Sequence, residues 1–317
     1  SCWLQASSCR PAPCGTPPPP APHPVAQVPT PLTATSLQPR RKLPADWAGK
    51  PCLSLARSVT PPPKAKPAVG SALAVMGVMP VPFRAGADRP AAFHVLCYGD
   101  SLTVGFHDSG RRYEPYGKAL AEALAAATGG AAVEVSVCGH SGHTAQEMVA
   151  NADAAAVEDV GGLLAKGLRR ALLEQPRRPD LVLIMAGTND LGHGYRPGAI
   201  ADDIARLHRA CHDRGVATLA LAPPAAPQAP AGSSFEEGRQ QLLQLMQKWA
   251  RTSPGTKAVI NPADLVPAVP GGAAWDIDRL HLAPAGSQLL GALLAEAVAP
   301  ILLPLVSDST WATSRLP

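Results

Sequence analysis

Two short segments, far apart in the chain, carry side chains that together could run acyl transfer. Gly99-Asp100-Ser101-Leu102-Thr103 directly follows an apolar run, and Asp276-Ile277-Asp278-Arg279-Leu280-His281 lies far downstream. A serine hydroxyl is a poor nucleophile until a base accepts its proton. An imidazole serves as that base when a carboxylate on its other nitrogen fixes the tautomer and stabilises the imidazolium. Ser101, His281 and an aspartate would supply the three functions. Asp278 reaches the ring if the segment turns, and Asp276 is its local competitor. Between these segments lie Gly139-His140-Ser141-Gly142-His143-Thr144 and Gly187-Thr188-Asn189-Asp190, each just after another apolar run. Both are natural positions for donors to the oxyanion of a tetrahedral intermediate.

Each motif also has a plainer reading. Asp100 beside Ser101 fits a cap or a loop brace better than a chemical role. Asn189-Asp190 alone is an ordinary turn after a strand. Gly139 to His143 nearly spells the G-x-S-x-G nucleophile elbow, which would make Ser141 the nucleophile. It fails at the last position, where His143 stands and tight helix–strand packing wants no side chain. His140 and His143 could ligate a metal, but no carboxylate or thiolate at helical spacing completes a site. His94, His107, His193, His208 and His212 read as surface or packed histidines, with His107 and His193 close enough to the motifs to line a pocket.

Taken in order, the four blocks resemble the SGNH (GDSL-type) hydrolase family of esterases, lipases and thioesterases, over roughly residues 93 to 303. The resemblance implies a three-layer α/β/α sandwich with a cofactor-independent serine site that binds no metal. It assigns Ser101, Asp278 and His281 to a catalytic triad, with Asp278 preferred to Asp276. It assigns the oxyanion hole to the Ser101 N–H, the Gly142 N–H and the Asn189 side-chain amide. The chain departs from the family pattern at Val137, where members often carry Asn two residues before the first glycine of the second block.

The elements that would position these residues follow from the apolar periodicity. Short apolar runs alternate with helical patterns after residue 92, the signature of βαβ units and a parallel sheet. Five strands are predicted: Phe93 to Tyr98, Val133 to Val137, Leu181 to Met185, Thr218 to Leu221 and Ala258 to Ile260. Helices are predicted over Tyr116 to Ala127, Gln146 to Glu174 with a break near Gly161-Gly162, Pro197 to Arg214, Phe235 to Arg251, and Pro284 to Ala299. Pro284 suits a first helical turn, where its missing N–H costs nothing. The first three motifs then sit at the carboxyl ends of strands one to three, where open α/β sheets place ligand sites.

Composition bounds the rest. The chain has 317 residues, 46% hydrophobic, with a net charge of +4. That charge is lopsided: residues 1–90 carry ten Lys or Arg against two acids, and the remainder is slightly acidic. With aromatics at only 4% and no basic stripe, nucleic-acid binding is not suggested. Residues 1–90 hold Pro17 to Pro20 and Pro61 to Pro63, a composition that cannot bury enough apolar surface to offset ordering entropy. The expected domains are therefore a disordered Pro-rich tail over 1–90, a hydrolase domain over 91–305 and a C-terminal tail over 306–317. The N-terminal tail fits a transit peptide, a solvated linker or out-of-frame translation, since the chain begins at Ser1 and its first methionines are Met76 and Met79. An organelle or the cytoplasm is favoured over secretion. Ala68 to Met79 is too short to span a bilayer. Cys97, Cys138 and Cys211 lack C-x-x-C spacing and read as buried thiols.

The expected activity is hydrolysis of small-molecule carboxylic esters through an acyl-enzyme on Ser101, with acyl lipids, acetylated sugars and thioesters all open as substrates. The alternative is an idle α/β domain whose Pro-rich tail binds SH3- or WW-type partners. Acyl and alcohol specificity, transfer to an alcohol instead of water, and oligomeric state are beyond the reach of the sequence.

Overall fold

The computed structural model describes residues 78–88 and 90–307. The expectations of disorder, targeting and SH3 or WW binding for the Pro-rich tail fall almost wholly on residues 1–77, outside the described residues, as does most of the C-terminal tail. Six strands form the central sheet: β1 (Val81–Ala85), β2 (Phe93–Gly99), β3 (Val133–Gly139), β4 (Leu181–Met185), β5 (Ala217–Leu221) and β6 (Thr256–Ile260). Their spatial order is β1-β3-β2-β4-β5-β6. The strands β3, β2, β4, β5 and β6 are mutually parallel, as the alternating pattern predicts.

The expected five-stranded parallel sheet gains one strand. β1 pairs antiparallel with β3, from Val81 opposite Val137 to Ala85 opposite Val133. Its residues fall in the stretch assigned to the tail from the overall composition of residues 1–90. A proline that donates no ladder hydrogen bond is nevertheless tolerated on a sheet edge. Burial alternates along the strand, with Val81 inside and Pro82 and Arg84 exposed, as a half-covered edge requires.

Helices cover both faces. On β2, alternate residues go to opposite layers: Val95 and Cys97 join Leu120, Leu124, Leu290 and Leu294, whereas Leu96 and Tyr98 join Leu168, Ile204 and Met246. The first layer is built by α2 (Tyr116–Ala127) and α9 (Pro284–Ser307), which pack on each other. The second holds α3 (Ala145–Ala150), α4 (Leu168–Glu174), α6 (Pro197–His212) and α7 (Ser234–Ala250). Short helices α1 (Ser101–Val104), α5 (Thr188–Gly192) and α8 (Pro262–Leu265) complete the order.

Two predicted helices need correction. Gln146 to Glu174 is not one broken helix but α3, a two-stranded hairpin (Val157–Glu158 with Leu164–Ala165) and α4. Asp159 makes the difference. Its carboxylate accepts from the Gly161 and Leu163 amides at 2.9 Å each, a local turn that competes with helix. At the other end, α9 continues past Ala299 through Pro300 and Pro304. Leu290, Leu294, Val298 and Leu302 form one buried face, and this packing outweighs the amide bonds the prolines remove. Pro284–Pro304 is long and apolar enough to cross a membrane by composition, yet half of that window is buried inside this fold.

Candidate active site

The sheet changes direction around β2: the chain leaves it for β3 on one side and later places β4 on the other. The crevice at the carboxyl ends of these strands is where such sheets bind ligands. Gly99 closes β2, paired with Gly139 of β3 and Met185 of β4. A Cβ there would lie 2.2 Å from the Met185 carbonyl oxygen, so only glycine lets the chain turn between its neighbours. Asp100 follows as the cap of α1, its carboxylate accepting the Leu102 amide at 3.0 Å. Ser101 is the first residue of that turn and is 5% exposed.

The other two blocks are tied to the first and to each other. His140 donates its amide to the Gly99 carbonyl at 2.9 Å. The Asn189 side-chain amide donates to the His143 carbonyl at 2.8 Å, which sets it beside Gly142 and leaves its second N–H for another acceptor. Gly142 has φ +80°, a conformation other residues rarely adopt. Asp190 is wholly buried and accepts the Ala145 amide at the start of α3 with both oxygens, at 2.9 and 3.2 Å. Asp159 does the same for the neighbouring segment, accepting the Ser141 amide at 3.0 Å.

The last block arrives from the opposite layer, on the loop before α9. His281 points Nε2 at Ser101 Oγ, 2.9 Å away, and Nδ1 at Asp278 Oδ2, 2.6 Å away. Asp278 Oδ1 accepts the amides of Leu280 and His281 at 2.9 Å each. Burial pushes the Asp278 carboxyl up, but the imidazole and these amides outweigh it and hold the group at about 2. The turn is closed by Arg279, at φ +57°, whose amide donates to the Asp276 carbonyl. Buried Leu280 and Leu282 anchor it in the α2–α9 layer.

Asp276, the competitor for the imidazole, has another partner. Its Oδ2 accepts the Asp108 amide at 2.9 Å. Asp108 and Ser109 hold positive φ of 50° and 56°, strained for residues with a side chain. Asp276 therefore clamps a tight loop carrying Phe106, whose ring centroid lies 4.7 Å from that of His281.

Burial raises two carboxyls behind the site: Asp100 to about 6 and Asp190 to about 7, the latter with a further push from the Asp100 charge. His140 is driven down to about 4 by burial and by His143 stacked on it at 5.4 Å. Its Nε2 bonds the Lys166 carbonyl at 3.1 Å, a packing role. Ser141 is 1% exposed, and the imidazole of His281 faces Ser101 instead. Among the described residues, no group of three His, Cys, Asp or Glu side chains could hold a metal ion. His107 is buried against the Gly105 carbonyl, and His193 stands beside Tyr195. His208 and His212 both bond Thr218, far from the motifs in the fold.

Asp159 is a site residue that motif spacing does not reveal. The available signal for Asp159 is the Asp-x-Gly-Gly turn chemistry of residues 159–162, hidden inside an apparent helical period.

No curated protein matches this chain in sequence. Among solved structures, a carbohydrate acetylesterase family member from Sinorhizobium meliloti is 22% identical, with 68% of this chain and 99% of that one covered and a TM-score of 0.48. A lipase/acylhydrolase from Enterococcus faecalis is 21% identical over 66% of this chain and 96% of that one, with a TM-score of 0.46. The model of the GDSL-like Lipase/Acylhydrolase family matches residues 97–289, well over half of the chain. From the turn at Ser101 to the first residues of α9, this chain belongs to the GDSL-like lipase/acylhydrolase family and is a hydrolase of ester bonds.

Proposed function

We propose that the protein is a serine esterase in which Ser101, His281 and Asp278 form the catalytic triad. The observation that carries this reading is the unbroken hydrogen-bonded chain from Ser101 Oγ through the imidazole to Asp278. His281 takes the hydroxyl proton as Oγ attacks the ester carbonyl, and Asp278 stabilises the imidazolium. The oxyanion is received by the N–H groups of Ser101 and Gly142 and by the free N–H of Asn189. His281 then protonates the departing alcohol, leaving an acyl-enzyme. Water enters, gives its proton to the same imidazole and releases the acid, restoring Ser101. No step calls on a cofactor.

Asp190 and Asp159 act through the backbone: they hold the segment bearing Gly142 against Asn189, so the donors are in place before charge develops. Acyl lipids, acetylated sugars and thioesters all present the carbonyl this site would attack.

The test is turnover of p-nitrophenyl esters by the full chain, wild type against Ser101→Ala and Ser141→Ala. Ser101→Ala is expected to lose about 10³-fold or more in kcat, since only binding and oxyanion stabilisation remain. Ser141→Ala is expected to keep its turnover. The opposite outcome would move the nucleophile to the second block.

A further inference from the structure

The residue that covers Gly142 is neither in a motif nor in the core. Val160 is 76% exposed, yet a Cβ placed on Gly142 would lie 2.7 Å from its Cγ1 and 3.0 Å from its Cγ2. Its isopropyl group is therefore packed over the α-carbon whose N–H faces the reacting carbonyl in the proposed mechanism. The backbone around it is pinned. The Val160 amide donates to the Ser141 carbonyl at 3.3 Å, and Asp159 accepts from Ser141, Gly161 and Leu163. A group on such a support keeps its position when substrate arrives.

The two sides of an ester must separate at this site. His281 serves both Ser101 Oγ and the departing oxygen, so the alcohol lies on the side of the base. His281 comes from the α2–α9 layer, where Leu280 and Leu282 anchor it. The hairpin of Val160 belongs to the other layer, through Ala165 and Leu168. With the carbonyl oxygen turned toward Gly142 and Asn189, the acyl substituent is directed away from the base and toward that hairpin.

We propose that Val160 is a specificity-determining residue: it contacts the acyl chain of the ester just beyond the carbonyl carbon, and the site takes an apolar acyl group longer than acetyl. The proposal rests on the serine-esterase reading and names the substrate class of that site. Val160 is not part of the catalytic machinery, and its exposure makes substitution compatible with folding.

The experiment compares wild type, Val160→Ser and Val160→Trp, all folded by circular dichroism, on two ester series. One varies the acyl group as p-nitrophenyl acetate, butyrate and octanoate. The other varies the alcohol as ethyl, phenyl and p-nitrophenyl butyrate. Val160→Ser is expected to raise KM for butyrate and octanoate about tenfold with acetate little changed, the scale of a lost methylene contact or two. Val160→Trp, by filling the path of the chain, is expected to lower kcat/KM for octanoate relative to acetate by about tenfold or more. Ratios within the alcohol series stay at wild-type values. Unchanged acyl ratios, a shift in the alcohol series instead, or an equal loss on every ester would overturn the role of Val160 while leaving the esterase intact. Absence of any turnover that Ser101→Ala abolishes would overturn the esterase reading and this proposal with it.

Discussion

The two aspartates of the Asp-x-Asp-x-x-His segment do different work, and substitution separates them. In the proposed triad, Asp278→Asn keeps the shape but favours the wrong imidazole tautomer, so kcat is expected to fall about 10⁴-fold in ester hydrolysis. Asp276→Asn, which loosens only the clamp on Asp108, is expected to keep most of the activity. On the proposed mechanism Asn189→Ala removes one oxyanion donor, and it is expected to lower kcat by about 10²–10³-fold with KM little changed. Half-buried Asp278 and buried Asp190 give a pH signature of opposite signs. Asp278, held at about 2, adds stability that is present above the ordinary carboxyl value of 3.8 and lost as pH falls toward 2. Asp190, raised to about 7, does the reverse: its contribution is full below 3.8 and fades as pH rises through 7. Urea titrations should therefore show Asp190→Asn gaining on wild type between pH 4 and pH 8. At this scale much of the proposed site is legible in sequence, because the serine, histidine, aspartate and asparagine that such chemistry calls for are residue types with few substitutes. What motif spacing leaves open, Asp278 against Asp276 and the partner of Asp190, depends on which amides lie within 3 Å, and only the folded chain brings those together.

Elements were legible where burial is two-sided or periodicity is long. β2 and β4 are continuous apolar runs, and α2 and α6 keep a single stripe, so their patterns have one reading. β1 was hidden within a stretch read as tail from its overall composition and the Val157–Ala165 hairpin by a helical period, since edge strands and local turns rest on which hydrogen bonds are left over, a quantity that composition does not carry. The contact between α2 and α9 gives a sharp test of packing. A Cβ on Gly291 would lie 2.3 Å from the Tyr116 carbonyl oxygen, whereas one on Gly198, early in α6, would meet nothing within 4 Å. Gly291→Ala is expected to cost about 1–3 kcal/mol as the helices are forced apart. Gly198→Ala is expected to gain up to about 1 kcal/mol through helix propensity. Thermal unfolding of the two variants reads both signs in one comparison.

For the whole molecule, a parallel sheet of five strands was legible in the sequence but their spatial order was not, and the sheet begins upstream of the composition shift at residue 90. A chain beginning at residue 91 would lack β1 and leave the backbone of β3 as an open edge. Relative to a chain beginning at residue 78, it is expected to unfold at lower urea and to self-associate, measurable by denaturant titration and light scattering. The hydrogen bond from His281 to Ser101 joins positions 180 residues apart. Synthesis delivers Ser101 early and His281 late, with four of the sheet strands made in between. On the proposed mechanism the serine has no proton acceptor until the loop before α9 docks, so partly made or clipped chains would carry a silent hydroxyl. If Ser101 and His281 act as proposed, turnover cannot precede docking of that loop, and its appearance during refolding would time the arrival of α9 without any added label.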